Sequence, residues 1–169
     1  MREGVALMAA VYCFRLDTPA GRITLREEGD ALTHLQFGDI FYENAEYEES
    51  HLLREAARQL NAYFNGTLQN FSLPLHPEGT EFQRRVWAEL QTVPYGQTRS
   101  YGDIARACGN VHAARAVGMA NNRNPLAIII PCHRVIGANG KLVGYGGGLN
   151  VKAFLLDMEK KTMEQLECR

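Results

Sequence analysis

The sequence SYGDIARACGNVHAARAVGMA, from Ser100 to Ala120, predicts two short helices joined by a tight turn. Ser100 can cap the first helix through its hydroxyl, and Gly109 can close it, because glycine readily adopts the left-handed conformation found at helix ends. Asn110 or His112 can open the second helix, which runs to about Ala120. Two short helices around a glycine turn form the helix-turn-helix pattern.

A further helix is predicted just upstream, where Thr80-Glu81-Phe82-Gln83 has the sequence of a capping box. It follows a segment rich in proline and glycine, LPLHPEG from Leu73 to Gly79, which interrupts the patterns on both sides. We therefore predict a domain boundary in this segment, with one domain in residues 1–78 and a second in residues 79–169.

The first predicted domain has the pattern of a small α+β unit. Val11–Leu16 and Arg22–Arg26 alternate around a turn and predict a β-hairpin, and Leu32–Phe37 predicts a third strand. Apolar residues then recur at helical spacing from Leu52 to Tyr63, with Gly66 at the end of that helix. Nothing in this half of the sequence indicates a chemical motif.

The composition of the 169 residues is that of an ordinary globular protein, with 46% hydrophobic and 22% charged residues. No apolar run approaches the roughly 20 residues of a transmembrane helix, and the short apolar stretch Val5–Val11 shows no signal-peptide cleavage pattern. The cysteines form no CxxC pair, which argues against a disulfide framework or zinc knuckle and favours a reducing compartment, the cytoplasm. They are Cys13, Cys108, Cys132 and Cys168.

Charge is divided unevenly between the two predicted domains, although the whole chain has a formal net charge of −1. Residues 1–78 hold 6 lysines and arginines against 12 acidic residues, whereas residues 79–169 hold 12 against 7. A basic half on a near-neutral protein indicates a surface for a polyanion such as nucleic acid. Basic residues scattered over a solvated face would give the same count.

A reactive cysteine is predicted after the apolar run Leu126–Ile130, which has the pattern of a buried strand or extended segment and leads into Pro131-Cys132-His133-Arg134-Val135. Most cysteines are buried and inert, but His133 and Arg134 favour a reactive thiol, because positive charge stabilises a thiolate and imidazole accepts its proton. Successive side chains of extended backbone point to opposite faces, so a bridging water is one way to connect Cys132 with His133.

Downstream of the cysteine, the sequence predicts a glycine-rich loop followed by a helix. In the loop, Gly144-Tyr145-Gly146-Gly147-Gly148, the bare backbone lets a flat ligand approach closely. Apolar residues at helical spacing from Val151 to Met158 predict the helix. Glu159, near its end, either reaches inward to orient a histidine or faces solvent.

These motifs together resemble the O6-alkylguanine-DNA alkyltransferases, also called methylated-DNA–protein-cysteine methyltransferases. The match runs from Phe82 to Glu159, and the segments Ala113–Val135 and Gly144–Glu159 are the most specific. The resemblance implies an α/β (α+β) fold, with an N-terminal ribonuclease-H-like domain and a C-terminal helix-turn-helix, winged-helix-like domain. It also implies an enzyme that moves an alkyl group from O6-alkylguanine in duplex DNA to its own cysteine, once and irreversibly, with O4-alkylthymine left open as a second substrate.

The resemblance implies a role for each residue of the catalytic site. Cys132 is the alkyl acceptor, His133 the base that takes its proton through a water, and Glu159 the carboxylate that holds the histidine. Tyr101 corresponds to the tyrosine that donates a proton near the guanine O6. Asn124 corresponds to the asparagine that braces the turn around the cysteine.

The resemblance also implies the contacts with DNA. Arg115 corresponds to the arginine that enters the base stack after the damaged nucleotide is flipped out, since a planar cation can fill the gap and bond the orphaned base. The small residues around it then face the minor groove. The DNA-binding candidates are Ala113, Ala114, Arg115 and Gly118. The candidates for the wall of the substrate pocket are Val135, Tyr145, Gly146 and Gly147.

The sequence departs in two respects from patterns seen in this family. Gly146 stands where many relatives have serine or alanine, so a hydroxyl contact is missing there and the range of alkyl groups is left open. Cys13 and His34 do not match the zinc ligands of some relatives, and we expect neither a metal nor a diffusible cofactor. The expected partner is double-stranded DNA containing O6-alkylguanine, with no membrane contact. We expect a monomer, and cooperative binding to DNA stays open.

Three other interpretations fit part of the sequence. An alkyltransferase-like lesion binder would share the fold but lack the cysteine, and the presence of Cys132, His133 and Glu159 argues against it. A helix-turn-helix transcription factor with a redox cysteine would bind one preferred sequence and ignore base damage. A small cysteine hydrolase would turn over repeatedly without DNA, but no oxyanion donors can be assigned to it.

Overall fold

The computed structural model describes residues 9–169, in which a sheet and one helix are followed by a group of four helices. Most of the Val5–Val11 stretch therefore lies outside the described residues. Within them, no helix combines the length and the apolarity that a membrane span requires.

An antiparallel three-stranded sheet forms the first part of the fold. Its strands are β1 (Val11–Thr18), β2 (Gly21–Glu28) and β3 (Ala31–Phe37), which lie in the order β1-β2-β3. Thr18 pairs with Gly21 across a two-residue turn, which confirms the predicted hairpin. The predicted third strand is confirmed as well. The inner face of the sheet contributes Ile23 and Leu25 of β2 and Leu32 and Leu35 of β3 to the core.

Helix α1 (His51–Phe64) packs on this sheet. The Ser50 hydroxyl caps it by accepting a hydrogen bond from the Leu53 amide at 3.0 Å, and its apolar stripe is buried, as the helical spacing predicted. Asn65 caps the other end, and Gly66 follows it in the left-handed conformation with a φ of 73°. The helix therefore ends two residues before Gly66, and its cap is Asn65 rather than the glycine that marked its end in the sequence.

The helix-turn-helix pattern is confirmed in α3 (Tyr101–Ala107) and α4 (Ala114–Asn122), which follow α2 (Glu81–Gln91). Complete capping boxes start α2 and α3, in which Thr80 pairs with Gln83 and Ser100 with Asp103. Gly109, with a φ of 83°, allows the chain to turn sharply after α3. The Trp87 indole of α2 donates to the Ala120 carbonyl of α4 at 2.9 Å and ties the two helices together.

The start of α4 differs from the prediction. The helix begins at Ala114, and neither Asn110 nor His112 caps it. The Asn110 side chain instead accepts a hydrogen bond from the His112 amide at 3.0 Å, which holds these residues in a turn before the helix. A short polar side chain that bonds its own backbone favours a turn as readily as a cap, and here the turn forms.

The prediction of a buried strand or extended segment at Leu126–Ile130 is wrong for the backbone conformation, but the segment is buried as predicted. Leu126 makes one isolated bridge to Leu35 of β3, after which the chain folds into turns. The Ile130 amide donates to the Leu126 carbonyl at 2.9 Å, and Ile128 has a φ of 71°, which is rare for a β-branched residue. An apolar run indicates that a segment is buried, but it does not indicate whether neighbouring strands are present to pair with it.

The last helix, α5 (Leu149–Glu167), packs against the short turn that contains Cys132. Glu159 lies in the middle of α5 rather than near its end. A short parallel pair, β4 (Arg99–Ser100) and β5 (Val135–Ile136), joins the start of α3 to the chain after the cysteine. The bridge from Leu35 to Leu126 connects the first sheet to this C-terminal part.

Candidate active site

Cys132 begins a single buried 3₁₀ turn, Cys132–Arg134, and 5% of its surface is exposed. Two asparagines hold the backbone on either side of the cysteine. Asn124 donates to the Ile130 carbonyl at 2.8 Å, and Asn121 donates to the Cys132 carbonyl at 3.2 Å. Because the backbone here is a 3₁₀ turn and not a strand, the Cys132 and His133 side chains are not directed to opposite faces.

The Cys132 thiol lies between opposing electrostatic influences. Burial raises its pKa above the ordinary value, while the Asn124 amide and the positive charge of Lys152 oppose that rise. Lys152, on α5, is fully buried, and its Nζ donates to the carbonyls of Val143 at 3.0 Å and Gly144 at 3.4 Å. A cation is therefore fixed near the thiol.

The sequence analysis missed Lys152 as a member of the site. A signal was available, since Lys152 and Glu159 are two helical turns apart on α5 and so share one face. Both are fully buried.

His133 and Glu159 form the centre of the site, and neither has any exposed surface. The Nε2 atom of His133 lies 2.7 Å from Oε1 of Glu159. Arg134 donates from Nε to Oε2 at 2.9 Å and from Nη2 to Oε1 at 2.9 Å, and the Gly96 amide donates to Oε2 at 3.0 Å. Both oxygens of the buried carboxylate are thus satisfied, as a charge in the interior requires.

These contacts set the protonation of the pair. Burial raises the pKa of Glu159, but the hydrogen bonds and charges of His133 and Arg134 outweigh it and bring the pKa to about 2. Burial lowers the pKa of His133, so its ring is neutral near pH 7. An ionised Glu159 can only accept, so the ring proton lies on Nε2 and Nδ1 is free to take a proton. That Nδ1 atom is buried and has no hydrogen-bond partner within the protein.

Tyr63 of α1 also reaches this carboxylate, and the sequence analysis did not single it out. Its hydroxyl donates to Oε1 of Glu159 at 2.7 Å and lies 3.5 Å from Nε2 of His133. In the sequence Tyr63 is only the last apolar position on one face of α1. No local signal distinguishes it from a core residue.

A cavity of about 300 Å³ brings several predicted DNA-contact residues together beside α4. Arg115 is exposed on its rim, and Ala114 and Gly118 lie on the same helix. Ala113, in contrast, is buried in the core just before α4 begins. The residues that line the cavity are Tyr101, Ala114, Arg115, Gly118, Asn122, Val143 and Gly144.

Tyr101 lies against α4 with its hydroxyl already bonded. Its ring is 3.8 Å from the position that a Cβ atom on Gly118 would take. The hydroxyl donates to the Val143 carbonyl at 2.9 Å, and burial raises its pKa. The tyrosine therefore connects α4 with the loop that follows the cysteine.

The four residues predicted to form the wall of the substrate pocket differ in their burial and in their neighbours. Val135 has no exposed surface, so contact with a base would need movement around it. Tyr145 lies between Phe37 and His133, with ring centres 5.7 Å and 6.4 Å away. Gly146 borders open space, whereas a Cβ atom on Gly147 would come within 2.8 Å of Phe37. Gly147 thus serves close packing against the first domain.

Comparison with known proteins extends over most of the chain. Residues 81–161 match the DNA-binding domain of 6-O-methylguanine DNA methyltransferase, and residues 11–77 match the ribonuclease-like domain of the same enzyme. The chain belongs to the 6-O-methylguanine DNA methyltransferase family. The resemblance drawn from the sequence is thereby confirmed.

Relatives from bacteria and archaea share about half of the sequence. The methylated-DNA–protein-cysteine methyltransferase of Mycobacterium leprae is 54% identical over 153 residues, which is 89% of this chain and 93% of that protein. A protein of the same name from Methanosarcina acetivorans is 51% identical over 158 residues, which is 88% of this chain and 98% of that protein.

Solved structures of this family have the same fold. The crystal structure of Mycobacterium tuberculosis O6-methylguanine methyltransferase has a TM-score of 0.83 at 50% identity, covering 90% of this chain and 94% of that chain. The structure of the Mycobacterium tuberculosis protein OGT in complex with DNA also has a TM-score of 0.83 at 50% identity, covering 89% and 94%. The predicted fold class is thus confirmed, while the boundary after residue 78 and the roles of single residues stay predictions.

The cysteines and acidic residues outside the site form no further centre within residues 9–169. None of the four cysteines is in a disulfide; Cys13 and Cys108 are buried, and Cys168 is exposed. Among the residues that the structure describes, no three His, Cys, Asp or Glu side chains are grouped to hold a metal ion.

Proposed function

We propose that this protein repairs alkylated DNA by moving the alkyl group from the O6 atom of guanine to the Sγ atom of Cys132. The bond from sulfur to the alkyl carbon forms as the bond from that carbon to O6 breaks, and guanine leaves as an anion that takes up a proton. The observation that carries the proposal is the buried Cys132 beside a buried, hydrogen-bonded pair of His133 and Glu159, in a member of this methyltransferase family.

The surroundings of the thiol support its activation. A neutral His133 can accept the thiol proton at Nδ1, through a bridging water, and Glu159 then stabilises the imidazolium at Nε2. The fixed positive charge of Lys152 stabilises the thiolate that remains. Burial raises the pKa of the Cys132 thiol and keeps it protonated until its proton can pass to the histidine.

Base flipping brings the damaged guanine to this buried thiol. We infer that α4 lies in the minor groove of duplex DNA and that Arg115 enters the stack in place of the flipped nucleotide. Tyr101 serves as the proton donor to the leaving base. For this role the Tyr101 hydroxyl gives up its hydrogen bond to the Val143 carbonyl and donates to the substrate instead.

The product of the transfer is a thioether on Cys132, and no cofactor takes part because the DNA itself supplies the alkyl group. A thioether resists hydrolysis, so each chain acts once. Gly146, which borders open space, leaves room for alkyl groups larger than methyl. We propose that the protein acts on DNA as a monomer.

The mass of the intact protein after mixing with a stoichiometric O6-methylguanine duplex tests this function. We expect one added methyl group per chain, located by peptide mapping on the peptide that contains Cys132. The Cys132→Ser variant is expected to gain none, and the Cys108→Ser variant to gain one. If the protein gains no mass but still prefers damaged duplex, it is a lesion-recognition protein and Cys132 is not an acceptor.

A further inference from the structure

The N-terminal domain contributes one side chain, Tyr63, to the surroundings of the proposed proton relay of Cys132, His133 and Glu159. Tyr63 on α1 is fully buried, and its hydroxyl donates to Oε1 of Glu159 at 2.7 Å. Three aromatic rings surround it, with centroid distances of 5.3 Å to Phe64, 5.4 Å to Phe71 and 5.8 Å to Tyr95. The ring is therefore held from several sides, and the hydroxyl is directed at the carboxylate.

Oε1 of Glu159 is shared among several donors. His133 Nε2 and Tyr63 Oη each lie 2.7 Å from it, and Arg134 Nη2 lies 2.9 Å away. A hydrogen bond to a charged group stabilises the charge and reduces its attraction for other protons. The tyrosine and the histidine thus compete for the same negative oxygen.

We propose that Tyr63 is a positioning residue of the alkyl-transfer relay. The hydrogen bond from its hydroxyl partly neutralises the negative charge of Glu159 and so limits how strongly Glu159 stabilises a protonated His133. This rests on the proposed function of Cys132 and His133. The imidazolium of His133 forms when the thiol loses its proton. If Glu159 stabilises this imidazolium less, the thiol stays protonated to a higher pH. The first domain then sets the reactivity of a thiol that it does not touch.

Several titratable groups surround the relay, so each variant in the test changes only one of them. Those that face Glu159 are Tyr63, Tyr95, His133, Arg134 and Tyr145. Those that face Cys132 are Tyr101, Tyr145 and Lys152. Replacing Tyr63 by phenylalanine removes one donor from Glu159 and preserves the edge-on and tilted contacts of the ring with its aromatic neighbours.

The test is the pH dependence of alkylation of Cys132 by iodoacetamide in the full chain, followed by the mass of the Cys132 peptide. In Tyr63→Phe we expect the pH midpoint of the reaction to fall by about half a unit, so that the rate below the midpoint rises about threefold. Fluorotyrosine at position 63 is a more acidic donor, and we expect it to move the midpoint upward.

The matched control is Tyr95→Phe. Tyr95 packs edge-on against the Tyr63 ring, but its hydroxyl makes no hydrogen bond to Glu159, so the midpoint is expected to stay where it is in the parent protein. Thermal unfolding of each variant shows that it is folded. Should Tyr63→Phe fail to fold, the fluorotyrosine protein decides alone, since it retains every contact.

An unchanged midpoint in both position-63 variants, or a shift in the same direction in both, would overturn the proposal. Methyl transfer from an O6-methylguanine duplex is measured on the parent protein in parallel. If the parent protein takes up no methyl group, the proposed function fails, whatever the midpoints show. If it takes up the methyl group and the midpoints do not move, only the role of Tyr63 fails.

Discussion

Glu55 in the N-terminal domain and Glu159 in the C-terminal domain have carboxylates with the same pKa, about 2, in opposite surroundings. The side chain of Glu55 is 34% exposed and accepts from Arg58 and Gln59 on the surface of α1. Glu159 has no exposed surface and depends entirely on protein donors. Water can replace the partners of Glu55, but it cannot reach Glu159 to replace its partners.

The same contrast extends to the two domains. The first holds most of its charge in ion pairs at the surface, such as those of Arg22 with Asp17 and of Arg54 with Glu49. The second buries Arg134, Lys152 and Glu159 together around the cysteine turn. Burying a charge costs desolvation free energy, so a domain with several charges in its interior uses them for a purpose other than solubility.

Removal of the buried carboxylate is expected to have the largest effect. Glu159→Ala leaves Arg134 buried without its partner, and breaking a buried pair in this way costs about 3–5 kcal/mol of unfolding free energy. Methyl transfer to Cys132 is expected to be lost with it. Urea unfolding and transfer to a methylated duplex measure the two effects.

The control for this comparison is Glu55→Ala, which removes a carboxylate of the same pKa from the surface. We expect transfer to be unchanged and the urea midpoint to move only slightly. If Glu159→Ala lost as little unfolding free energy as Glu55→Ala, the buried cluster would contribute no more to stability than a surface ion pair.

The second largest effect is expected for Arg115, the exposed arginine of α4. In Arg115→Ala we expect transfer from duplex DNA to fall on the order of 100-fold, because flipping a base costs a few kcal/mol that the arginine offsets. Reaction with free O6-methylguanine base, which needs no flipping, is expected to change little. Arg54→Ala, which removes an exposed arginine from the acidic domain, should affect neither rate. Equal losses on both substrates would exclude Arg115 from base flipping.

The smallest of these effects is expected for the buried lysine. Lys152→Met removes the cation near the thiol, raises the pKa of Cys132, and slows its reaction with iodoacetamide about tenfold below the pH midpoint. Lys161→Met, which removes an exposed lysine from the same helix, serves as the control. If both variants react at the parent rate, the buried cation does not assist the thiolate.

Local patterns in the sequence predicted much of this fold. The hairpin around residues 17–21 and the capping boxes at Thr80 and Ser100 depend on contacts between residues a few positions apart, which any short segment contains in full. The start of α4 and the conformation of Leu126–Ile130 were predicted wrongly. In each, the local pattern suits two conformations, and packing against the rest of the chain selects one.

The sequence by itself determined the family, the fold class and the identity of the residues around the cysteine, because these are written in short motifs such as Pro131-Cys132-His133-Arg134. Only the tertiary structure decided which charges meet. The Tyr63 hydroxyl joins His133 and Glu159, which lie 70 and 96 positions further along the chain, and Lys152 enters from another turn of α5. Contacts over such separations depend on how the helices pack, which no local spacing specifies.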